Sequence, residues 1–347
     1  MDFDPDGAAD SQAGVFGLPF AESESALVLV PVPWEVTTSY GGGTSSGPAA
    51  ILAASAQIDL YDDQVKDPWR AGIHMRAESP RLRALNRKGK AAAQKVIRAG
   101  GVADTPALKK ALGEANRLGG ELNAWVRAEC AGLMAAGKVV GVVGGDHSVP
   151  YGAFQAAAAA YGSFGLLHFD AHSDTRDAYE GFLWSHASIM RNALRDIPQV
   201  SRIVQVGIRD YCRQEAEYVA ALGPRAKVFH GRELSRRRFA GRAFDETAQE
   251  VVDALPEKVW VTFDIDGLDP KLCPHTGTPV PGGLEFDEAD RILGMVARSG
   301  RTLLGFDLVE VAPAPGGRDE WDANVGMRLL FRLAAWTLRS RGLAKDR

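Results

Sequence analysis

LLHFDAHSD, at residues 166–174, begins as an apolar run and ends in Asp170, His172 and Asp174. In an extended chain, side chains two positions apart point to the same face. These three side chains can therefore converge on one point, where the carboxylates would repel each other unless a cation lay between them. The stretch predicts a buried strand that carries a metal site at its end, rather than a polar strand end that faces water.

Two other stretches repeat this arrangement of an apolar run followed by metal-binding side chains. VVGVVGGDHS, at residues 139–148, ends in two glycines before Asp146 and His147, and VWVTFDIDGLDP, at 259–270, delivers two further carboxylates. The carboxyl ends of parallel strands lie at one edge of a sheet, where α/β proteins bind their ligands. The predicted metal ligands are His147, Asp170, His172, Asp174, Asp264 and Asp266.

This ligand set of two imidazoles and four carboxylates is too large for a single tetrahedral zinc ion. It suits two divalent ions that share a carboxylate and a water molecule, an arrangement that generates hydroxide near neutral pH. A lone histidine beside a strand is more often a structural residue, but the carboxylates expected around His147 favour a ligand.

Five motifs in a fixed order resemble the signature of the ureohydrolase superfamily, which includes arginases and agmatinases. They are GGDHS, DAHSD, DIDGLDP, TGTPVPGG at residues 276–283 and GFDLVEVAP at 305–313. Each motif alone is moderately specific, whereas all five in order are very specific, and the similarity extends from about Leu27 to about Leu338. The resemblance implies an α/β fold of three layers, α/β/α, with a central parallel sheet and the metal site at the carboxyl ends of its strands.

The same resemblance implies a hydrolase that converts a guanidino compound to urea and an amine with two metal ions, usually manganese. Glu310 would hold the guanidinium, and Asp170 would accept a hydrogen bond from the attacking hydroxide. His186 would relay a proton to the leaving amine, and Thr278 would lie beside the guanidinium.

Three further side chains are candidate substrate contacts: Tyr40, Trp184 and His275. Arginases place Asn and Ser after the second motif to hold an α-amino acid, whereas this chain has an aromatic segment that ends in WSHAS at residues 184–188. This argues against arginine as the substrate, and aromatic faces can hold a guanidinium by cation–π contact. The alternative for Tyr40 and His275 is that they only pack their own loops.

The expected substrate is free guanidine or a small alkylated guanidine. VPWEVTTSYGGGT, at residues 32–44, and WSHAS are similar to the branch of guanidine hydrolases and alkyl-biguanide hydrolases, some of which use nickel. The expected cofactors are therefore two Ni²⁺ or Mn²⁺ ions per subunit. Agmatine, 4-guanidinobutanoate and alkylated biguanides are the alternative substrates.

The composition of the chain limits its expected binding partners and its expected location in the cell. The 347 residues carry a net charge of −4, which gives no indication of nucleic-acid or acidic-membrane binding. The three cysteines form no CxxC motif, and the chain has neither a signal-peptide pattern nor an apolar run of membrane-spanning length. The expected location is the cytoplasm.

The chain is expected to form one catalytic domain over residues 21–347, preceded by a mobile arm at 1–20 that could pack on a neighbouring subunit. Residues 62–105 are basic and are expected to be an irregular insertion relative to shorter agmatinases. The resemblance implies a homo-oligomer, a trimer or a hexamer, and leaves open the need for a metal-loading chaperone.

Two alternatives come from other functional classes. A non-catalytic partner subunit of a mixed oligomer would fold in the same way, but such subunits normally lose some ligands, and all six are present here. A two-metal phosphoesterase would fit the ligand chemistry. It would need Arg or Lys around the phosphoryl group, and Glu310 would repel that group.

Overall fold

The computed structural model describes residues 3–7, 13–317 and 319–347. Its strands are β1 (Leu27–Val32), β2 (Val65–Lys66), β3 (Ile73–Met75), β4 (Val139–Gly144), β5 (Phe164–Phe169), β6 (Val200–Val206), β7 (Ala226–Phe229), β8 (Lys258–Asp264), β9 (Thr302–Val309) and β10 (Lys345–Asp346). Its helices are α1 (Gly47–Ser55), α2 (Pro80–Arg98), α3 (Pro106–Ala135), α4 (Tyr151–Tyr161), α5 (Ile189–Asp196), α6 (Arg213–Ala221), α7 (Gly231–Phe239), α8 (Phe244–Ala254), α9 (Phe286–Arg298) and α10 (Trp321–Ser340).

Eight strands form one parallel sheet in the order β3-β1-β4-β9-β8-β5-β6-β7. Its central strands are buried at nearly every position, as their continuous apolar runs predict for a sheet that is covered on both faces. Helices α1, α8, α9 and α10 pack on one face, and α2, α3, α4 and α5 pack on the other. The three-layer α/β/α prediction is confirmed.

The sheet order determines where the site lies. The strands β4, β9, β8 and β5 are consecutive neighbours, although they are far apart in the sequence. Since all of them are parallel, the motifs that follow them emerge at the same edge.

Residues 13–20 do not form a mobile arm, and the prediction is wrong for this segment. Val15, Phe16 and Leu18 are at most 1% exposed, and the Phe16 ring meets Phe331 of α10 edge-on, with 5.2 Å between the ring centroids. These three apolar side chains, which lie within four positions, stabilise the fold because they are buried. The acidic and small residues that precede them made the whole segment look too polar to pack on the domain. Residues 1, 2 and 8–12 of the predicted arm lie outside the described residues.

The segment 62–105 is regular rather than irregular. Its strand β3 pairs with β1 at one edge of the sheet, and α2 packs along α3. Helix α2 begins with Pro80 after Ser79, whose hydroxyl accepts a hydrogen bond from the Leu82 amide, 3.4 Å away. The many basic residues made the apolar face of the amphipathic helix α2 difficult to recognise in the sequence. That the segment is an insertion relative to shorter agmatinases stays a prediction.

In the described part of the chain, no helix combines the length and the apolar character that crossing a membrane requires.

Candidate metal centre and active site

A glycine turn after β4 brings the first ligand into place. A Cβ atom at Gly145 would lie 1.7 Å from the Trp34 carbonyl oxygen, so only glycine permits this approach. The Gly145 carbonyl accepts a hydrogen bond from the Glu310 amide, 2.7 Å away, and the Glu310 carboxylate accepts one from the His147 amide at 2.9 Å. The turn after β4 and the end of β9 are thereby joined directly.

Three carboxylates surround one imidazole nitrogen of His147. Its Nδ1 lies 3.0 Å from an oxygen of Asp170, 3.0 Å from one of Asp174 and 3.3 Å from one of Asp264. All four side chains are buried. The motifs after β4, β5 and β8 therefore converge on one point.

A second group of ligand atoms shares Asp170 with the first. His172 Nδ1 lies 3.4 Å from the other oxygen of Asp170 and 3.1 Å from Asp266. One carboxylate thus offers an oxygen to each group. Nitrogen and oxygen donors in this proportion would suit a pair of divalent first-row ions such as Mn²⁺ or Ni²⁺, and Asp170 would offer one oxygen to each ligand group.

The electrostatics of the cluster favour such cations. Burial opposes protonation of His147, but hydrogen bonds to Asp170, Asp174 and Asp264 outweigh it and raise its pKa. Burial and the charge of Asp170 raise the pKa of Asp174 to about 7. The carboxylates carry more negative charge than the two imidazoles balance, and two divalent cations would balance it.

Two of the predicted site residues adopt a backbone conformation that non-glycine residues avoid. Asp174 has φ 54° and Glu310 has φ 62°, at a cost of about 1–3 kcal/mol each. The Asp174 carbonyl accepts a hydrogen bond from the Met190 amide at 3.0 Å, and the Glu310 carbonyl accepts one from the Thr276 hydroxyl at 2.8 Å. The surrounding structure therefore holds both in place, as is common where a side chain must be aimed at a ligand.

A buried hydrogen-bond chain behind His147 leaves its Nδ1 atom available as a ligand. His147 Nε2 donates to the Thr262 hydroxyl at 2.9 Å, and that hydroxyl donates to Asp307 at 2.8 Å. Asp307 also accepts from Trp260 Nε1 at 2.7 Å, and burial raises its pKa to about 6. Such partners of a ligating histidine fix its tautomer and orientation.

His168 belongs to the site, although the sequence reasoning did not single it out. Its Nε2 donates to Asp170 at 2.8 Å, and its Nδ1 accepts from Gln205 at 3.0 Å. The Gln205 amide also donates to the Ser173 carbonyl at 2.9 Å, which fixes its orientation. Among the described residues, His168 Nε2 pairs with the carboxylate of Asp170 alone, whereas His147 Nδ1 pairs with three carboxylates. We therefore assign His168 to positioning Asp170 rather than to the ligand set. Its place two residues before Asp170 on β5 was the available signal.

A cavity of about 260 Å³ opens beside the ligands. Four of the predicted substrate contacts line it: Tyr40, His186, Thr278 and Glu310. Glu310 is buried, whereas Tyr40 is 75% exposed at the rim. The rim also contains residues that the sequence reasoning missed, namely Ser39, Arg176, Tyr179, Ala187, Asp210, Tyr211 and Glu215.

Trp184 lies outside this cavity, which corrects its prediction as a substrate contact. Its ring packs against Tyr151 of α4, with 5.0 Å between the ring centroids, and against Gly119 of α3. A Cβ atom at Gly119 would lie 2.9 Å from the indole, so this glycine makes room for the ring. The aromatic side chain anchors the loop to α3 and α4 instead of contacting a guanidinium.

His275 is also absent from the cavity lining. Its backbone amide and its Nδ1 atom lie 2.9 Å and 2.7 Å from the carboxylate oxygens of Asp322, at the beginning of α10. This pairing fastens the TGTP loop to α10. His275, Asp319 and Asp322 also form a group of possible ligand atoms, away from the cavity.

Comparison with known proteins agrees with this geometry. Residues 25–335 match the arginase family. The chain is 33% identical to an N(1)-aminopropylagmatine ureohydrolase of Thermus thermophilus, over 86% of this chain and 87% of that protein. It is 30% identical to the agmatinase of Cronobacter sakazakii, over 84% of this chain and 81% of that protein. The solved structure of Thermoplasma volcanium agmatine ureohydrolase has the same fold, with a TM-score of 0.69 and 22% identity over 98% of this chain and 97% of that one.

Proposed function

Because the chain belongs to the arginase family, we propose that it hydrolyses a C–N bond of a guanidino compound with two divalent metal ions. The observation that carries the proposal is Asp170, which offers one oxygen to the ligand group around His147 and the other to the group around His172. Both groups lie at one cavity that Glu310 also lines.

The side chains around this cavity match what guanidinium hydrolysis requires. A guanidinium is planar, cationic and resonance-stabilised, so water attacks it slowly. Glu310 would hold its plane and its charge by a paired carboxylate contact. Two Mn²⁺ or Ni²⁺ ions, when bound, would supply hydroxide near neutral pH. Asp170 would accept a hydrogen bond from the attacking water, and His186 would deliver a proton to the leaving nitrogen.

The first substrate candidate is free guanidine or a small alkylated guanidine. The two segments that resemble the guanidine-hydrolase branch meet at the cavity, because the Thr37 hydroxyl lies 3.1 Å from His186 Nδ1. Trp184 and His275 no longer support this candidate as substrate contacts, since neither lines the cavity.

The second candidate is a linear guanidino amine, the substrate class in the names of the T. thermophilus and C. sakazakii relatives. It is favoured by Asp210, which is exposed at the rim of the cavity and whose backbone pairs with His172. Across the described residues, no ion-pair partner of the Asp210 carboxylate is found. A free carboxylate at the mouth could bind a distal ammonium group.

Replacing Asp210 by asparagine separates the two candidates. For agmatine we expect KM to rise about 10-fold, which is the lower end of the roughly 1.5–3 kcal/mol that a charge-assisted hydrogen bond contributes, because Asp210 is exposed to solvent. For free guanidine we expect no change, because this substrate has no second charge. Steady-state urea release measures both constants. Equal KM for agmatine in the variant and the wild type would remove Asp210 from substrate binding.

The experiment that tests the proposed function is urea release from guanidine, methylated guanidines, agmatine and 4-guanidinobutanoate, with the protein loaded separately with Mn²⁺ and Ni²⁺. Turnover of free guanidine supports the first candidate, and turnover of agmatine supports the second. If no guanidino compound of the panel yields urea, and no alkylated biguanide releases an amine, while two ions are bound, the proposal fails and a non-catalytic subunit becomes the better account.

A trimer or hexamer of identical subunits in the cytoplasm, and loading by a metal chaperone, remain proposals that follow from the family resemblance.

A further inference from the structure

Thr37, in the loop that follows β1, lies within hydrogen-bond distance of His186. We propose that Thr37 is a positioning residue that sets the tautomer of His186. We further propose that α2 holds Thr37 in place through its contacts with Glu35, and we call the group of Glu35, Asn86 and Lys90 the brace. The inference rests on the proposed function, because it assigns His186 a proton-transfer role at the same cavity.

The contact between Thr37 and His186 is doubled. The Thr37 hydroxyl oxygen lies 3.2 Å from the backbone nitrogen of His186 and 3.1 Å from its ring Nδ1. A hydroxyl oxygen has two lone pairs and can accept both N–H groups. We assign this direction because it is the one that the proton-shuttle role of His186 requires. In that arrangement Nδ1 carries the proton of the neutral ring, and Nε2 carries a lone pair.

The other ring nitrogen is the one left for the reaction. Within residues 3–7, 13–317 and 319–347, no side chain or backbone group forms a hydrogen bond with His186 Nε2, and His186 lines the cavity. A lone pair on Nε2 is what a proton shuttle needs. As the water oxygen bonds to the guanidino carbon, Nε2 takes the proton that the water gives up, and it passes this proton to the nitrogen whose bond to carbon breaks. The opposite tautomer would present an N–H to the cavity and could not accept it.

The charge state of the ring is consistent with this role. Burial lowers the pKa of His186 to about 4. The positive charge of Arg176 acts in the same direction. His186 is therefore neutral at pH 7, and the imidazolium formed on proton uptake is a strong acid towards the leaving nitrogen.

Glu35 organises the loop that carries Thr37. One oxygen of its buried carboxylate accepts hydrogen bonds from the amides of Gly43 and Ser45, at 2.7 Å and 3.1 Å. The loop thus closes on a carboxylate two residues before Thr37. This fixes a segment that contains three consecutive glycines and would otherwise be mobile.

Helix α2 completes the brace. Lys90 forms an ion pair with the second oxygen of Glu35, and Asn86 accepts a hydrogen bond from the Glu35 amide at 2.8 Å. Asn86 and Lys90 are four positions apart and therefore share one face of the helix. The side chains of Lys90 and Glu35 are only 23% and 9% exposed, so this pair is shielded from solvent. The helix therefore has a side chain that reaches the loop of the active site.

Thr37→Val tests the proposal, because valine keeps the shape and removes the hydroxyl. We expect kcat for urea release to fall about 10–100-fold, the usual effect of removing a partner that orients a functional side chain. KM should change little and two metal ions should remain bound, because among the described residues the Thr37 hydroxyl forms hydrogen bonds with His186 alone. Thr37→Ser restores the hydroxyl and should recover most of the lost kcat.

The matched control is Thr38→Val. The Thr38 hydroxyl donates to the Glu35 carbonyl at 2.9 Å, in the same loop, and does not reach His186. We expect its kcat to stay near that of the wild type. Lys90→Met should lower kcat in the same direction as Thr37→Val, by a smaller factor, because it loosens the brace and leaves the hydroxyl present.

A second readout does not depend on activity. The ¹⁵N shifts of the imidazole nitrogens report the tautomer, and His186→Asn identifies the signal among the seven histidines. With protein loaded with diamagnetic Zn²⁺, wild-type His186 should show a protonated Nδ1 and an unprotonated Nε2, and Thr37→Val should shift this population.

Two results would overturn the proposal: unchanged kcat and unchanged His186 shifts in Thr37→Val, or an equal loss of kcat in Thr38→Val, which would assign the effect to the loop as a whole. If the wild type releases no urea while the His186 shifts still depend on Thr37, the proposed function fails and the contact between Thr37 and His186 stands.

Discussion

Asp170→Asn is expected to remove both metal ions and to lower kcat for urea release by about 10³-fold or more, because one carboxylate serves both ligand groups. Asp174→Asn is expected to lose only one metal ion, because the Asp174 carboxylate pairs with His147 and not with His172. Asparagine keeps the shape of the side chain and offers one neutral oxygen, so the comparison isolates the charge.

Metal content per chain, measured by plasma emission after desalting, distinguishes these variants. Asp269→Asn is the matched control. Asp269 belongs to the same DIDGLDP motif, but its carboxylate accepts a hydrogen bond from the Lys271 amide at 3.0 Å, and asparagine can accept the same bond. We expect this control to keep two ions. Two ions and normal turnover in Asp170→Asn would refute a shared carboxylate.

Glu310→Gln is expected to keep both ions and lose most of its turnover. Burial and the charge of Asp146 raise the pKa of Glu310, whereas a bound guanidinium favours the ionised form because the two charges attract. Glutamine has the same shape, carries no charge and presents an N–H₂ group to a cation. We expect kcat/KM to fall about 10²–10³-fold, the range for loss of one preorganised electrostatic contact.

Metal content and the midpoint of thermal unfolding serve as the controls for this variant. Both should match the wild type, since Glu310 contacts the His147 amide rather than either imidazole. A variant with two ions and unchanged kcat/KM would mean that Glu310 does not hold the substrate. Loss of the ions together with activity would make its role structural.

The candidate ligands could be recognised as a group because their arrangement is local in sequence. Asp170, His172 and Asp174 follow one strand at alternate positions, and Asp264 and Asp266 follow another. A strand places such residues on one face, and parallel strands place their ends at one edge. The three-layer fold could be predicted from the same apolar runs, because strands that are apolar at every position must be covered by helices on both faces of the sheet.

Other features depended on contacts between residues that are distant in sequence. Trp184 packs on Gly119, and His275 pairs with Asp322, 47 positions away. No local sequence pattern predicts either contact. Trp184 and His275 were therefore assigned to the cavity only because an indole and an imidazole can bind a guanidino substrate. The partners of His147 and His168, Thr262 and Gln205, are hidden in the same way on strands β8 and β6.

Helix α2 illustrates a further difficulty. Its basic residues are typical of a solvated charge cluster, and most of them carry no other sequence signal. Lys90 differs because its partner Glu35 lies 55 positions earlier, in a loop whose path depends on the folded sheet. The sequence alone does not show that Lys90 is shielded from solvent while the other basic side chains of α2 are more exposed.

We propose that this member of the arginase family needs two metal ions at the carboxyl ends of β4, β5 and β8 for its activity. The most direct test is to strip the protein with a chelator, restore zero, one or two equivalents of Mn²⁺ or Ni²⁺, and measure urea release from the best guanidino substrate of the panel. We predict almost no urea from stripped protein and full activity only as the second equivalent binds. Full activity with one ion or none per chain would contradict the claim.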